Sequence, residues 1–342
     1  MDTAITRMFG IRYPILLPQM TRVSRPGLVA AVSNAGGLGV LATATNSPDE
    51  TRREIDEIRA LTDKPFGVGT PLMIPNGREN AEVALEEKVP VLNFSLGKGD
   101  WIVPQAHAYG GKVIATVVTR RHALAASRYG CDAIQVTGNE AAGHGSPVTS
   151  LVLIPSLLEA IDIPIIAAGG FGDGRGLMAA LALGAQGVAM GTRFIVAKES
   201  PLHDRTREAV VERAVEDTIY TDRFDGMDCR IMRTPSSERI VNAGTGYFEA
   251  FLASRTLALE MNRPWLQMFW QVLARGPAYT LRLARMATAQ TAMRASIEDG
   301  DLEHGVLPIG QIQGLVSDTP TAEKIIERIM AEAYAVREQL RV

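Results

Sequence analysis

The chain has 342 residues, of which 46% are hydrophobic and 21% are charged, and its formal net charge at pH 7 is −3. This composition is typical of a globular protein with a large core, and it contains no block of Lys and Arg such as nucleic acid binding requires. The first residues lack the apolar run of a signal peptide and no stretch reaches about 18 apolar residues, so we expect a cytoplasmic protein with no membrane partner.

Short apolar runs recur along the first part of the chain, and helix-like segments separate them. The runs are continuously apolar rather than alternating, which is typical of parallel strands covered on both faces. The segment after the second run predicts a helix, since Ser47 can cap its N-terminus and Pro48 suits its first turn. The predicted strands comprise residues 14–20, 38–43, 66–71, 91–96, 112–118, 133–138, 164–170 and 187–192.

This alternation within about 200 residues favours a closed (β/α)8 barrel, the TIM-barrel architecture, over an open doubly wound sheet. The open sheet would need a GxGxxG fingerprint after its first strand, and the sequence there is Met20-Thr21-Arg22-Val23. We therefore predict a barrel in residues 1–200, a helical lid or substrate subdomain in residues 201–305 and a C-terminal segment, residues 306–342, that closes on the barrel. Residues 261–286 are rich in Trp, Phe and Met, which suits either a helical core or a cover over the barrel mouth.

Glycines cluster where the last two predicted strands end. Strand seven ends in Gly169-Gly170, and strand eight ends in Gly191-Thr192. Glycines at such positions let backbone N–H groups approach a phosphate closely, and the helices that follow favour negative charge at their N-termini. The alternative is that these glycines serve tight turns alone. Because barrels often bind phosphate after strands seven and eight, the pattern predicts a phosphate site.

One histidine follows predicted strand six directly. His144 lies between Gly143 and Gly145, at the end of the barrel where βα loops carry catalytic residues. A histidine titrates near neutral pH and can accept or donate a proton. It could instead be a loop residue that bonds only backbone, but beside a phosphate site we favour a role in catalysis.

The remaining histidines and the two cysteines carry no chemical motif. The cysteines, Cys131 and Cys229, are far apart and lack the spacing of metal ligands, so we expect two buried thiols and no metal site. Surface or packing roles are expected for the other histidines, which are His107, His122, His203 and His304.

The motifs AAGGFGDGRGLMAALALGAQGVAMGTRF and NEAAGHGS resemble those of the nitronate monooxygenase (2-nitropropane dioxygenase) family. The resemblance extends over the chain and includes NAGGLGVLA at 34–42, TDKPFGV at 62–68 and GQIQG at 310–314. Members of this family are barrels that depend on FMN. The same scaffold is also similar to flavin-dependent enoyl-thioester reductases and to some NADH:quinone reductases.

The resemblance assigns roles residue by residue. It implies that His144 is the active-site histidine beside the flavin and that the backbone of Met20 lies near the isoalloxazine. The chain departs from the family pattern at Leu17-Pro18-Gln19-Met20 and at Gly69, where many relatives have Asn, so Gln19 or Gln135 would replace a flavin-contacting amide. The predicted cofactor-binding residues are Met20, Gln19, Gly69, Gln135, Gly143, Gly169, Gly170, Gly191 and Thr192.

Three hypotheses for function follow from the resemblance. In the first, which we favour from sequence, the protein oxidises nitronates or nitroalkanes with O2. In the second it is an NAD(P)H-linked reductase of enoyl-CoA or enoyl-ACP thioesters or a dehydrogenase of acyl-CoA, and the third is an NADH:quinone reductase. In the first, His144 would bind the nitro group or deprotonate a neutral nitroalkane, and in the second it would handle the proton of the α-carbon. The sequence leaves open whether the substrate is a nitronate or an acyl thioester and whether the redox partner is O2 or NAD(P)H. It also leaves open whether the chain forms a homo-oligomer. A protein that only senses a phosphate ligand, without catalysis, is a further alternative.

Overall fold

The structure, a computed structural model, describes residues 1–243, 255, 258–259, 264–266, 270 and 277–340. Its main body is a closed barrel of parallel strands, ordered around the ring as along the chain, with β1 paired to both β2 and β8. The predicted TIM barrel is therefore confirmed. The barrel strands are β1 Ile15–Leu17, β2 Leu38–Ala42, β3 Gly67–Pro71, β4 Val91–Ser95, β5 Lys112–Val117, β6 Ala133–Thr137, β7 Ile165–Ala168 and β8 Gly187–Ala189.

Helices follow the strands and cover the outside of the barrel. The cap predicted for α3 is present, because the Ser47 hydroxyl accepts from the Glu50 N–H while the Glu50 carboxylate accepts from the Ser47 N–H at 2.8 Å. The described helices are α1 Ala4–Phe9, α2 Pro26–Asn34, α3 Pro48–Leu61, α4 Gly77–Glu86, α5 Ile102–Ala108, α6 Arg120–Tyr129, α7 Ser150–Leu158, α8 Gly174–Ala182, α9 Gly191–Ile195, α10 Asp204–Val211, α11 Pro235–Ala243, α12 Pro277–Ile297 and α13 Ala322–Gln339.

The N-terminal end of the barrel is closed by α1. Ile5 and Phe9 of this helix pack into an apolar layer with strand residues such as Leu16, Val91 and Ile166, all of them buried. Filling this end with apolar side chains leaves ligand binding to the opposite, C-terminal end, as is usual in this architecture.

The segment after the barrel differs from its mostly helical prediction. It contains an antiparallel hairpin, β9 Thr218–Thr221 and β10 Cys229–Met232, in which Cys229 pairs with Thr221. Neither strand, with the sequences TIYT and CRIM, is a continuous apolar run of the kind that indicated the barrel strands. Residues 261–263, 267–269 and 271–276 of the segment rich in Trp, Phe and Met lie outside the described residues, so its predicted role as a cover stays a prediction.

The C-terminal helix α13 packs between α2 and α8 on the outside of the barrel. Its Glu332 accepts a hydrogen bond from the Gly174 N–H at 2.8 Å, and a Cβ on Gly174 would overlap the backbone of Ala333. Small residues in α8 thus let the closing helix approach. The division of the chain at residues 200 and 305 stays a prediction.

In the part of the chain that the structure describes, every helix is too short or too polar to span a bilayer.

Candidate active site at the C-terminal end of the barrel

A cavity of about 1420 Å³ opens at the C-terminal end of the barrel. Every residue predicted from sequence to bind the cofactor lines it, together with His144, although they come from six different strand–helix connections or strands. The structure thus brings the predicted residues together, while their roles remain predictions. They are Gln19, Met20, Gly69, Gln135, Gly143, His144, Gly169, Gly170, Gly191 and Thr192.

The glycine pair after β7 adopts a conformation that favours glycine. Gly169 and Gly170 have φ of 101° and 81°, in the left-handed region where a side chain is strained. The carbonyl of Gly169 accepts from the Ser150 hydroxyl at 2.8 Å, which fixes the turn against the start of α7. At this turn the cavity is therefore lined by backbone atoms rather than by side chains.

The second glycine position differs from its prediction in one respect. Strand β8 ends at Ala189, and Gly191 and Thr192 are the first residues of the short helix α9 rather than the end of the strand. The first N–H groups of a helix have no partner within it, and no side chain caps this one. This geometry suits a phosphate at least as well as a strand end would.

The side chain of Thr192 has a structural partner. Its hydroxyl accepts from the Gly310 N–H at 3.0 Å, and Gln311 N–H donates to the Glu140 carbonyl at 2.9 Å. The GQIQG motif therefore lies between the β8 end and the loop after β6. Because the hydroxyl only accepts here, its proton and the Thr192 backbone N–H both stay available to a phosphate.

Within the described residues, five buried amide side chains carry an atom without a hydrogen-bond partner, and three of them, Gln19, Asn93 and Gln135, belong to the barrel strands or to the loop after β1. The Oε1 atoms of Gln19 and Gln135 and the Nδ2 atom of Asn93 are buried and unpaired within the described structure, and both glutamines line the cavity. A Cβ on Gly69 would overlap the side chain of Gln19, so the glycine makes room for the glutamine. Since buried polar groups are normally paired, these atoms indicate a polar ligand at the barrel centre.

His144 is paired with a carboxylate that the sequence did not indicate. Its Nε2 lies 2.6 Å from Asp225 Oδ2, and Asp225 is in the turn of the β9–β10 hairpin. The His144 side chain is 35% exposed and that of Asp225 only 16%. A carboxylate on one ring nitrogen fixes the tautomer and leaves Nδ1 for chemistry.

Strand β10 also holds the loop that carries His144. The buried guanidinium of Arg230 donates to the backbone carbonyl of Asn139 and, at 2.8 Å, to the side-chain oxygen of Asn139. The backbone N–H of Arg230 donates to the Ala142 carbonyl. Burial lowers the pKa of Arg230, and the nearby Glu140 carboxylate opposes that shift. Arg230 thus fixes both ends of the segment that precedes His144.

The other histidines lie mainly on the surface, with one difference from expectation. His107 bonds Asp132 at 2.8 Å and His304 bonds Asp301 at 2.9 Å, whereas His203 caps α10. His122 is exposed on α6 and lines the outer part of the cavity. Both cysteines are free and buried, as expected.

Comparison with known proteins gives one family over nearly the whole chain. The family model described as nitronate monooxygenase matches residues 2–332. Among solved structures, FabK from Thermotoga maritima is 34% identical, with a TM-score of 0.84, over 100% of this chain and 99% of that one.

Two curated relatives differ in the activity named for them. The (3aS,4S,5R,7aS)-5-hydroxy-7a-methyl-1-oxo-octahydro-1H-indene-4-carboxyl-CoA dehydrogenase of Mycobacterium tuberculosis is 36% identical over 97% of this chain and 96% of its own length. A probable nitronate monooxygenase of Staphylococcus aureus is 31% identical over 65% of this chain and 76% of its own. The likeness to the dehydrogenase thus extends over more of the chain.

Proposed function

Because the chain belongs to the nitronate monooxygenase family, whose members are flavin-dependent oxidoreductases, we propose that it uses FMN to oxidise or reduce an acyl-CoA thioester beside its carbonyl group. The observation that carries this proposal is the size of the cavity, about 1420 Å³. Pockets for a single drug-sized ligand typically have about 300–1,000 Å³. The described cavity therefore suits a cofactor together with a large substrate better than a cofactor with a small nitronate.

The residues at the barrel mouth fit FMN. The backbone N–H groups at Gly169-Gly170 and at the start of α9 would hold a terminal phosphate, and no adenosine-binding fingerprint follows β1. Gln19 and Gln135 carry unpaired buried oxygens that would accept from N–H groups of the ring system. Bound FMN would supply the hydride chemistry at the β-carbon of the acyl group.

The protein's own contribution to the reaction is proton transfer at the α-carbon. The thioester carbonyl makes an α-proton acidic, and His144 would accept it in the oxidative direction or return it in the reductive one. With Nε2 bonded to Asp225, Nδ1 is the nitrogen available for this step. The carboxylate would stabilise the imidazolium that forms, and Arg230 would keep the loop in place.

Nitronate oxidation is a second candidate, which the description of the matching family and the relative in Staphylococcus aureus favour. It uses the same histidine, which would deprotonate a neutral nitroalkane, but it needs little of the outer cavity. A preformed nitronate would not need the proton transfer.

An anaerobic substrate panel distinguishes the candidates. We expect the flavin absorbance of the purified protein to bleach with a saturated acyl-CoA, or with NADH or NADPH followed by recovery on addition of an enoyl-CoA. Bleaching by a nitronate alone, with no response to any CoA ester, would contradict the thioester proposal. Release of FAD rather than FMN on denaturation, identified by mass spectrometry, would contradict the cofactor assignment.

A further inference from the structure

The outer part of the cavity carries three basic side chains that the proposed chemistry does not use. Lys98 follows β4, while Arg121 and Arg128 lie on α6, which follows β5, and all three line the same cavity as His144. We call these three residues the basic arm. In a closed ring of eight strands, β4 and β5 lie across from β8 and β1. The basic arm is therefore on the opposite side of the barrel mouth from the glycines proposed to hold FMN.

Two of these cations share one face of a helix with a gap between them. Arg121, Ala125 and Arg128 are at positions i, i+4 and i+7 of α6, and all line the cavity. Residues with this spacing lie on the same helix face, and seven residues extend roughly 10 Å along the axis. The small side chain of Ala125 leaves the space between the two guanidinium groups open to a ligand.

The charge of the basic arm is not neutralised by the protein. Within the part of the chain that the structure describes, the side chains of Lys98, Arg121 and Arg128 form no ion pair or hydrogen bond. Three carboxylates line the cavity: Glu140 accepts from Ser150, Asp225 is bonded to His144, and Glu79 on α4 also has an interaction of its own. The basic arm therefore presents positive charge toward a ligand.

The first turn of α6 adds further positive charge, at a position where cations destabilise a helix. The first turn contains Arg120, Arg121 and His122 and no acidic residue, although cations are unfavourable at the positive end of the helix dipole. Burial lowers the pKa of His122, and the neighbouring Arg121 lowers it further. An anion bound here would relieve this repulsion and also interact favourably with the helix terminus.

We propose that the basic arm binds the phosphates of the 3′-phosphorylated ADP end of a CoA thioester. This inference rests on the proposed function, because it names the part of the substrate that the outer cavity holds. With its nucleotide end on α6, the pantetheine arm crosses the barrel mouth and the acyl group lies beside His144. The phosphorylated ADP end of NADPH shares this chemistry, so the test separates the two sources.

Adenosine 3′,5′-bisphosphate is the probe, and isothermal titration calorimetry on the FMN-loaded protein measures its binding. We expect saturable binding that weakens steeply as NaCl is raised, because exposed charge pairs are screened by salt. Neutralising the helix face with R121Q/R128Q should weaken binding about tenfold or more, since each charge-assisted hydrogen bond to phosphate is lost. An unchanged flavin spectrum would show that the variant is folded and keeps its cofactor.

The matched control is Arg120→Gln, which removes one exposed charge from the same helix at a position that does not line the cavity. It should bind the probe nearly as well as the unmodified protein. Absence of binding, or equal losses in Arg120→Gln and R121Q/R128Q, would overturn the proposal.

A second probe, adenosine 2′,5′-bisphosphate, tests whether the basic arm binds NADPH instead. If it binds more tightly than the 3′,5′-isomer, the basic arm serves a nicotinamide dinucleotide phosphate and the CoA assignment is wrong. Binding of the 3′,5′-isomer without flavin bleaching or recovery by any CoA ester would support the basic arm while contradicting the proposed reaction. The two failures are thus distinguishable.

Discussion

The pair formed by His144 and Asp225 joins residues 81 positions apart in the chain. His144 was found from sequence because it directly follows a predicted strand and lies between glycines, and the family resemblance gives it a role. Asp225 has no such context, since it lies in a hairpin that the sequence did not predict. A carboxylate that acts only through a fold contact cannot be recognised from local pattern.

Asp225→Asn tests whether this carboxylate positions His144 and stabilises its charged form. We expect kcat for the proton-transfer half-reaction to fall roughly 10²-fold, in line with the usual contribution of general acid–base catalysis and of groups that orient a histidine. FMN occupancy and KM should change little, because the residues proposed to bind FMN lie elsewhere. Stopped-flow measurement of flavin absorbance provides the rates.

Two further variants make that result specific. Asp225→Glu should recover part of the lost rate, because a carboxylate remains within reach of the histidine. Asp222→Asn, in the same turn but exposed and outside the cavity lining, should behave as the unmodified protein. If Asp225→Asn and Asp222→Asn have equal rates, the Asp225 carboxylate does not contribute to the reaction.

At the scale of elements, the barrel strands were predictable because both faces of each are covered, which makes them continuously apolar. The residues at which the strands end were harder to predict. The predicted strand eight extended to Thr192, whereas the structure ends β8 at Ala189 and begins α9 at Gly191. Glycine and threonine occur both at strand ends and in helix first turns, so composition alone does not separate them.

The start of α9 is where the proposed phosphate site is most directly tested. A Cβ on Gly191 would lie 3.2 Å from Met20 Sδ, a flexible side chain that can move, and its φ is not in the left-handed region. Gly191→Val should therefore fold, yet weaken FMN binding about tenfold or more by filling the space that a phosphate needs. Flavin retained after dialysis, measured by absorbance and fluorescence, gives the result.

The same substitution at Gly170 is less informative, because its φ of 81° would strain any side chain and could disturb the loop itself. Gly27→Val is a better control for Gly191→Val, because it makes the same substitution at a site away from the proposed phosphate position. Gly27 lies on α2, and a Cβ there has no neighbour within 4 Å, so this variant should keep its flavin. If Gly191→Val binds FMN as Gly27→Val does, the phosphate site lies elsewhere.

At the scale of the whole molecule, both thiols report on the integrity of the core. Burial raises the pKa of Cys131 to about 12 and raises that of Cys229 as well. Only the thiolate reacts rapidly with alkylating agents, so neither cysteine should react at pH 8 while the protein is folded.

Alkylation with iodoacetamide followed by mass spectrometry of peptides checks this expectation. We expect both cysteines unmodified in buffer and both modified in a denaturing concentration of guanidinium chloride. Modification of Cys229 alone in buffer would mean that the β9–β10 hairpin opens separately from the barrel, since Cys229 begins β10.

The attachment of Asp225 and Arg230 to a hairpin outside the barrel has an evolutionary consequence. The glycines proposed for the phosphate belong to the β7 and β8 connections, whereas Asp225, the partner of His144, lies in a hairpin that follows the barrel strands in the chain. Insertions, deletions or exchange by recombination within residues 222–228 can thus remove or replace the carboxylate on His144 while the glycines after β7 and β8 stay unchanged.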